Sequence, residues 1–497
     1  MTPREQALTE QLAAARQEIS WLRQKLDALA RRVFGVSSEA LNPAQLQLLL
    51  QLPELATAPV EPPPVPAGVK ERQPVRKPRA PRLPEHLPVV EEVIEPEPVK
   101  QKPEDWRYIG QEVSEQLDFE PARFLCRRTI RKKYVHRTEV DVVPVIAPLP
   151  ERLQDRSLPA AGLLAHILVS KYCDHLPLYR QEQIYAQRHQ VNLPRQTLAR
   201  WVALAADWLK PIYEHIRTGV MAGGYAQVDE TPIDYLEPGN GKTKQGYLWT
   251  GSRPGGDVFF HWAISRAAAC LEEVVPATFT GTLQCDGYTA YRAFASGRTG
   301  IELAGCWAHV RRKFYEAQAG APRLAGWLLG QIQHLYRIEA RLRERRAGPK
   351  LRAALRASES RPIVERIERV LIKLKATGRH LPQSPLGTAI DYTLGLWPTL
   401  EVYLADGRVE IDNNLVENAI RPTAIGKKNW LFVGEAEAGE RSAILYTLIE
   451  CCRRRGINPF AYLKDVLTRL PNMTNRQIPE VTPAAWQRSQ KQLQLAA

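Results

Sequence analysis

The spacing of apolar residues changes at Gly224, and this change narrows the choice of fold more than any other pattern in the sequence. Beyond Gly224, apolar and polar side chains alternate, which is typical of strands that bury one face. The predicted elements are strands at 226–236, 246–253 and 257–265, a helix at 266–275, and strands at 282–286 and 301–306. The middle of the chain is therefore expected to form a mixed α/β sheet.

Helical spacing follows this sheet. The steps between Leu328, Ile332, Leu335 and Leu342 predict a helical block from residue 307 to about residue 404. The elements predicted after it are a helix near 414–421, a strand at 429–433, and helices at 438–454 and 459–470. Three antiparallel strands, a helix and a further strand are the order of a ribonuclease-H-like sheet, and other mixed sheets also have this order.

Three acidic residues stand out by their surroundings. Asp229 lies within the strand AQVDETPIDYL, Asp286 ends the strand LQCDGYTAY, and Glu417 lies on a short helix in DNNLVENAIRP. A charged residue in an apolar strand is costly unless it is paired or bound to a cation. Acids placed in this way can hold two hard divalent cations, which suits phosphoryl transfer. Acids at strand ends are also frequently turn or cap residues, and the chain has 54 acids, so spacing alone leaves both interpretations open.

The net charge of +14 comes from two segments of the chain. Residues 70–82 carry an excess of five basic residues over acidic ones, and residues 341–379 carry an excess of nine. Concentrated positive charge suits a polyanion, because each phosphate contact releases counterions. Contact with a nucleic acid is one interpretation, and a pair of solvated basic surfaces is the other.

The N-terminal region is predicted to be a coiled coil followed by a linker. Apolar residues at steps of four and three form a seam over residues 8–33, as in a coiled coil that joins two or more copies of a chain. The alternative is a helix that folds back on the leucine-rich stretch at 45–52. Residues 56–103 contain 13 prolines and few aromatic residues, which indicates an extended, mobile linker.

Two helices, at 179–190 and 195–209, are predicted to form a helix-turn-helix. Arg195, Gln196 and Arg200 lie off the apolar face of the second helix. Such a helix can enter the major groove of double-stranded DNA. The same geometry is common in helical domains that do not bind DNA, so both interpretations remain open.

The sequence also bears on the compartment. The first residues are charged where a signal peptide needs an apolar run, and no apolar run approaches the roughly 18 residues of a membrane span. Seven cysteines are scattered without regular spacing, which indicates reduced thiols. We therefore expect a cytoplasmic, nucleoid-associated protein with no membrane partner.

Several long sequence blocks resemble the bacterial transposases of the insertion-sequence-66 family. The blocks are VDETPIDYLEPGNGKTKQGYLW, CDGYTAY, CWAHVRRKF, IDNNLVENAIRPTAIGKKNWLFVG, LLAHILVSKYCDHLPLYRQEQIY and NPFAYLKDVLTRLP. They run in family order from about residue 106 to residue 470, with looser similarity in the N-terminal coiled coil. The resemblance implies a ribonuclease-H-like fold with an acidic DDE triad, which falls on Asp229, Asp286 and Glu417.

The same resemblance implies a chemistry and a set of partners. Two Mg²⁺ ions, or Mn²⁺, held by the triad would activate water to cut a phosphodiester at the transposon end. The freed 3′-hydroxyl would then attack target DNA, with no covalent protein intermediate. The implied partners are double-stranded DNA at the ends and at the target, further copies of the chain, and accessory proteins of the same element.

Basic and aromatic residues near the triad are expected to contact DNA. They are Trp307, His309, Arg311, Arg312, Arg421, Lys427, Lys428 and Trp430. Arg421 lies one helical turn after Glu417, where it can pair with Glu417 or bind a phosphate. Trp307 is either a core residue or a base-stacking platform, and His309 is either a DNA contact or a satisfied histidine near the sheet edge. Glu230 is expected to point away from the triad, because neighbours on a strand face opposite sides.

The chain departs from this family in one respect. The family has a small zinc-binding module with paired cysteine ligands before the helical region, whereas the corresponding stretch here offers only Cys126 and His136. Four ligands at zinc spacing are absent from it, so we predict no zinc. The module is expected either to persist as a metal-free β unit or to have a weakened role in DNA binding.

These observations divide the chain into six parts. They are a coiled coil (1–35), a short helix and basic linker (36–103), a small β-rich module (104–157), a helix-turn-helix domain (158–218), a ribonuclease-H-like catalytic domain (219–435) with a helical insertion at about 313–405, and a C-terminal helical element (436–497). The favoured function is an active transposase. The alternatives are a catalytically inactive DNA-binding repressor derived from a transposase, and a ribonuclease-H-like nuclease.

Overall fold

The computed structural model of the chain describes residues 85, 87–120, 123–138, 143–155, 157–237 and 241–496. The predicted coiled coil at 1–35, the basic segment at 70–82 and most of the predicted linker lie outside the described residues. The described chain combines two β-sheets with many helices, which confirms the predicted mixed α/β class.

A small sheet opens the described chain. Its elements are β1 (Val89–Ile94), the helix α1 (Glu97–Gln101), β2 (Trp106–Glu120), β3 (Arg123–His136) and β4 (Val145–Ile146). β2 and β3 form a long antiparallel hairpin, and β1 adds in parallel to the other edge of β3. Cys126 and His136 lie ten residues apart on β3, about 30 Å at the usual rise of a strand, so they cannot share one metal ion.

The linker predicted to run to residue 103 ends earlier than expected, because β1 and α1 lie within it. Glu91 and Glu95, in and just after β1, accept from Arg128 and Lys132 of β3 at 3.0 Å and 2.9 Å. Cross-strand pairs of opposite charge stabilise a strand at the edge of a sheet. Docking onto β3 therefore orders a segment whose composition alone indicates an extended chain.

Three helices follow the small sheet. They are α2 (Ala161–Tyr172), α3 (Leu178–His189) and α4 (Arg195–Met221). α3 and α4 match the two helices predicted to form a helix-turn-helix, but α4 runs a dozen residues beyond the predicted end. Its buried stripe continues through Ile212, Ile216 and Val220, so Pro211 does not end the helix.

The central sheet has five strands in the order β7-β6-β5-β8-β9. Its elements are β5 (Tyr225–Leu236), β6 (Thr243–Ser252), β7 (Val258–Ala263), the helix α5 (Ala269–Val274), β8 (Gly281–Gln284), the helix α6 (Thr289–Ser296) and β9 (Ile301–Ala304). β5, β6 and β7 pair antiparallel, whereas β8 and β9 run parallel to β5. All five strands predicted from the alternation are present.

A helical block follows β9 and has a hydrophobic core of its own. Its helices are α7 (Trp307–Ala317), α8 (Pro322–Glu344), α9 (Pro349–Leu355), α10 (Arg361–Ala376), α11 (Pro385–Gly395) and α12 (Trp397–Ala405), with a π-helical turn at Arg356–Ser360 between α9 and α10. Buried Arg356 donates to both carboxylate oxygens of Glu339, at 2.7 Å and 2.8 Å, and to the backbone carbonyl of Tyr403 at 2.6 Å. This network fastens the helical block to the segment that returns to the sheet.

The chain ends with four helices. They are α13 (Asn414–Trp430), α14 (Ala436–Arg454), α15 (Pro459–Arg469) and α16 (Pro483–Ala496). The strand predicted at 429–433 is wrong, because α13 continues to Trp430 and only an isolated bridge joins Phe432 to Asp234. Among the described residues, no helix combines the length and the apolar composition needed to cross a bilayer.

The close contact between α14 and the central sheet depends on two glycines. Trp262 of β7 packs against Gly246 of β6 and Gly439 of α14, and a Cβ atom on either glycine would overlap the indole ring. We expect Gly439→Ala to lower the free energy of unfolding by about 1–3 kcal/mol, as overpacking of a core does. Thermal unfolding followed by circular dichroism measures the change.

Gly326→Ala is the matched control, because Gly326 lies in α8 with open space around the position of a Cβ. We expect Gly326→Ala to raise the free energy of unfolding by up to about 1 kcal/mol, because alanine has a higher helix propensity than glycine. A Gly439→Ala protein as stable as the wild type would contradict the packing of α14 on Trp262.

Candidate active site

Two of the predicted acids lie at the same level on neighbouring strands. β5 and β8 run parallel, and their register pairs Gln227 with Gln284. Asp229 follows Gln227 by two residues within β5, so with the strand period of two it faces the same side of the sheet as that glutamine. β8 ends at Gln284, which places Asp286 just past its carboxyl end and beside the middle of β5.

A buried network fastens the segment before α13 to this part of the sheet. Gln227 Nε2 donates to the backbone carbonyl of Asp412 at 2.9 Å, and Gln284 Nε2 donates to that of Glu410 at 2.8 Å. The Tyr225 hydroxyl donates to Gln284 Oε1 at 2.7 Å and accepts from the backbone N–H of Glu410 at 2.9 Å. These bonds tie buried side chains of β5 and β8 to the backbone ahead of α13, so they hold the start of α13, which carries the third acid, against the sheet.

The three predicted acids form one cluster of negative charge. Burial raises the pKa of Asp229 well above its ordinary value, and the negative charges of Glu230, Asp286 and Glu417 raise it further. Repulsion of this kind acts only between groups that lie near one another in a poorly solvated place. Asp286 and Glu417 therefore lie within electrostatic range of Asp229. Among the described residues, however, the side chains whose possible ligand atoms all lie within 4.8 Å of one another are Cys306, His309 and Glu417, a group that shares only Glu417 with the three acids.

Glu230 lies beside these acids, but its carboxylate has partners of its own. Its carboxylate accepts from Arg266 Nε at 2.6 Å and from the Tyr291 hydroxyl at 2.6 Å, and its side chain is 1% exposed. Burial raises the pKa of Glu230, while Tyr291 and Arg266 oppose the rise. With both oxygens engaged, Glu230 supports the fold around Asp229, although its charge still acts on Asp229 and the charge of Asp286 acts on it.

Helix α7 lies against Glu417. His309 Nδ1 is 3.7 Å from Glu417 Oε1, and Arg312 Nη2 is 4.0 Å from Glu417 Oε2. Burial lowers the pKa of His309, and the charges of Glu417 and Asp286 act in the opposite direction. Within the described chain Arg421 forms no ion pair with Glu417, so that alternative is wrong: Glu417 faces α7 and Arg421 is exposed.

Trp307 is a core residue, and the expectation that it stacks on bases is wrong. Its side chain is fully buried, its Nε1 donates to the backbone carbonyl of Leu400 at 3.1 Å, and its ring packs edge-on against Trp397. A buried indole with its N–H satisfied has no face left for a base. Trp307 instead fixes the start of α7, which positions His309 and Arg312.

The other residues expected to contact DNA lie at or near the surface. Those with exposed side chains are Arg195, Gln196, Arg200, Arg311, Arg312, Arg421 and Lys428. Lys427 Nζ donates to the backbone carbonyl of Pro232 at 3.1 Å. Trp430 is half-buried against the main core, and Lys171 Nζ lies 5.8 Å from the centre of its ring. The first turn of α4 and the outer side of α7 and α13 therefore present most of these groups to solvent.

Sequence reasoning missed the residues that assemble the site. They are Tyr225, Gln227, Gln284, Cys306 and Tyr392, whose hydroxyl donates to the backbone carbonyl of Asp286 at 2.7 Å. A signal for two of them was present, because both strands contain the pattern glutamine, apolar residue, aspartate: QVD at 227–229 and QCD at 284–286. An uncharged polar residue on the buried face of a strand indicates that its side chain forms hydrogen bonds to a neighbouring strand or segment.

The donor set of the acidic cluster suits a hard divalent cation. It consists of carboxylate oxygens, which Mg²⁺ and Mn²⁺ prefer. Glu417 Oε1 is buried and has no hydrogen-bond partner, and Asp229 is surrounded by negative charge. A cation bound by Asp229, Asp286 and Glu417 would relieve both conditions.

Sequence comparison with known proteins identifies the family to which the chain belongs. The family described as "Transposase IS66 family" matches residues 156–441, "Transposase C of IS166 homeodomain" matches residues 21–91, and "IS66 C-terminal element" matches residues 447–484. The chain is 34% identical to the uncharacterized protein y4jD of Sinorhizobium fredii, over 99% of both chains. It is 36% identical to the uncharacterized protein y4qI of the same organism, over 92% of this chain and 87% of the other. The chain belongs to the IS66 family of transposases.

Proposed function

We propose that the protein is an active DDE-type transposase. It binds the terminal repeats of an insertion sequence, cleaves phosphodiesters at those ends and joins them to target DNA, with Mg²⁺ as the working metal. The observation that carries the proposal is the effect of the Asp286 and Glu417 charges on Asp229, with Asp229 on β5 and Asp286 just past the end of the parallel strand β8. Transposases of this type generally use divalent metals, and the cluster is a set of oxygen donors that fits such ions.

The strand order supports a ribonuclease-H-like core. β5, β6 and β7 form an antiparallel meander, and β8 and β9 continue the sheet in parallel on the other side of β5. This arrangement places one acid on the first strand of the sheet and one just after the fourth. The helical block between β9 and α13 then corresponds to the insertion that precedes the final glutamate.

In this proposal the three acids bind the metal ions, and basic side chains beside them bind the phosphate. Mg²⁺ ions held by the three acids would supply charge neutralisation at the scissile phosphate and lower the pKa of the attacking hydroxyl or water. Asp229 and Asp286 are held by the sheet, and Glu417 by the anchored start of α13, so the acids need little rearrangement. Arg312 and His309 bring positive and hydrogen-bonding groups beside Glu417, where they can bind a phosphate that enters the site.

DNA binding is divided between two exposed surfaces in this proposal. Arg195, Gln196 and Arg200 occupy the first turns of α4, the position from which a recognition helix contacts base edges. Arg311 and Lys428 are exposed on α7 and α13, the two helices that meet at Glu417, where they can bind the backbone of the DNA end. We further propose that the predicted coiled coil at 1–35 joins copies of the chain so that two ends are held in one complex.

The metal requirement tests this proposal. We expect the purified protein to cleave plasmid DNA that carries the ends of its own element when Mg²⁺ or Mn²⁺ is present, and to lose this activity in EDTA or in Ca²⁺ alone. Ca²⁺ accepts the same oxygen ligands but prefers larger, more flexible coordination than Mg²⁺. Gel analysis of nicked and linear products, mapped to the end sequence, is the measurement.

A plasmid with scrambled ends is the control for specificity. Cleavage that is equal on both plasmids would favour the nuclease alternative. Binding of the ends with no cleavage in any divalent metal would favour the inactive repressor. Either result would contradict the proposed function.

A further inference from the structure

We propose that Cys306, His309 and Glu417 form a second divalent-metal site, which takes Zn²⁺-like ions and not Mg²⁺. One ligand atom from each of the three side chains lies within 4.8 Å of the other two. The site is separate from the small N-terminal sheet, whose possible zinc ligands are Cys126 and His136. It shares only Glu417 with the acidic cluster.

The local sequence places two of the ligands on one side of a helix. Cys306 is the N-cap residue of α7 and His309 lies in its first turn, so the spacing of three residues brings both side chains to the same face. Glu417 approaches that face from α13, with its Oε1 3.7 Å from His309 Nδ1. Two ligands from one helical turn and one from a distant element are a common construction for protein zinc sites.

Unused hydrogen-bonding atoms are concentrated around this cluster. His309 Nδ1 and Glu417 Oε1 are buried without a partner, although they lie near each other. Asn413 is fully buried as well, and both polar atoms of its side chain lack partners. Buried polar atoms are rarely left unsatisfied in native proteins. Where several such atoms occur together, a binding site for an ion is one explanation.

The chemistry of the three donors selects the ion. A cysteine sulfur, an imidazole nitrogen and a carboxylate oxygen are the usual ligands of Zn²⁺, with bonds of about 2.0–2.3 Å, and a fourth position stays open for water or a substrate oxygen. Mg²⁺ requires six oxygen donors and does not take a thiolate. His309 Nδ1 and Glu417 Oε1 are 3.7 Å apart, and bonds of about 2.0–2.1 Å at the tetrahedral angle would place two such ligand atoms about 3.3 Å apart.

Neighbouring groups support the sulfur as a ligand. The backbone N–H of Asn413 donates to Cys306 Sγ at 3.5 Å, as outer hydrogen bonds to metal-bound thiolates do. The sulfur is buried, but His309 and Glu417 are 20% and 26% exposed and provide a path for an ion to enter. A bound ion would hold Glu417 on the α7 side and withdraw it from Asp229 and Asp286.

Binding of Co²⁺, a spectroscopic substitute for Zn²⁺, tests the site directly. We expect the metal-free full-length protein to bind Co²⁺ with a near-ultraviolet sulfur-to-metal absorption band, and added Zn²⁺ to abolish the band. Cys306→Ser should remove the band, and His309→Gln should weaken Co²⁺ binding at least about tenfold, the least that loss of even an outer-shell partner costs. Cys451→Ala, a change at another buried cysteine, should leave the band unchanged.

The controls separate this site from the proposed function. Asp229→Asn alters the acidic cluster without changing any of the three ligands, so it should keep the Co²⁺ band even if it abolishes DNA cleavage. Two results would overturn the proposal. One is a wild-type protein that shows no sulfur-to-metal band, and the other is a Cys306→Ser protein that is folded by circular dichroism and keeps the band.

The regulatory consequence rests on the proposed function. If Glu417 serves both sites, micromolar Zn²⁺ should inhibit Mg²⁺-dependent DNA cleavage by the wild type, and Cys306→Ser should require at least about tenfold more Zn²⁺ for the same fractional inhibition. The fraction inhibited is compared within each variant, so a change in basal rate does not enter. Equal sensitivity of the two proteins to Zn²⁺ would contradict competition for Glu417.

Discussion

Asp229→Asn is expected to reduce DNA cleavage and strand transfer by about 10³-fold or more, because a metal that neutralises transition-state charge supplies several kcal/mol and each 1.36 kcal/mol is tenfold in rate. Asparagine keeps the shape of aspartate and removes the charge that holds the cation. Binding of the transposon ends should persist, since it depends on surfaces outside the acidic cluster. Single-turnover cleavage of end-bearing DNA, with a gel-shift assay on the same fragment, measures both effects.

The stability of this variant provides an internal check. Burial and neighbouring acids raise the pKa of Asp229 in the folded protein, so the folded state binds a proton more tightly than the unfolded state does. Stability linked to Asp229 is therefore lost as the pH rises through its folded pKa. At pH 8 without metal, Asp229→Asn should unfold at the same temperature as the wild type or a higher one.

Asp234→Asn is the matched control, because Asp234 lies on the same strand, away from the cluster. We expect this change to leave the cleavage rate within about twofold, as surface substitutions away from special features have small effects. An Asp229→Asn enzyme that cleaves at the wild-type rate in Mg²⁺ would remove Asp229 from the catalytic site.

Arg356→Met should have the largest effect on stability, a loss of about 3–5 kcal/mol, which is the usual cost of removing one partner of a buried ion pair. Arg356 is fully buried and binds both oxygens of Glu339 together with the carbonyls of Tyr403, Asp406 and Val409. Methionine fills the space but leaves these acceptors without their donor. Thermal and urea unfolding measure the loss.

This variant should also lower the catalytic rate below the unfolding temperature. The carbonyls that Arg356 holds belong to the segment leading into α13, which carries Glu417. Arg341→Met is the control, since Arg341 pairs with Glu359 on the same helical block but is 43% exposed. We expect Arg341→Met to change the free energy of unfolding by less than about 1 kcal/mol. Equal stability of the Arg356→Met and Arg341→Met proteins would contradict a structural role for the buried network.

Local patterns were enough to predict the central sheet. The apolar and aromatic runs of β5 to β9, separated by glycine- and proline-containing turns, are visible without any tertiary information. The structure buries both faces of β7 and of the second half of β6, so the strands are less one-sided than a strict alternation predicts. The acids at 229 and 286 were found for a related reason, since charge is conspicuous within apolar strands. Glu417 was the least distinctive of the three acids, because an acid in the first turn of a helix is common for helix stability alone, and the family resemblance strengthened its assignment.

The features that sequence reasoning missed depend on contacts between distant segments. β1 orders only because β3 offers an edge and cations to pair with its acids. Trp307 resembles a DNA contact beside two arginines, yet the carbonyl of Leu400 and the ring of Trp397 bury it. The extension of α13 through residues 427–430 also depends on tertiary packing, including the bond from Lys427 to Pro232, which overrides a local preference for a strand.

Anomalous diffraction from crystals soaked in Mn²⁺ would test the central claim most directly. Mn²⁺ accepts the same oxygen ligands as Mg²⁺ and scatters anomalously. We predict a peak of anomalous density bounded by the carboxylates of Asp229, Asp286 and Glu417, which is lost in Asp229→Asn crystals. Carboxylates that remain free of metal in crystals with Mn²⁺ and bound transposon-end DNA, or that lie too far apart to share an ion, would contradict the account.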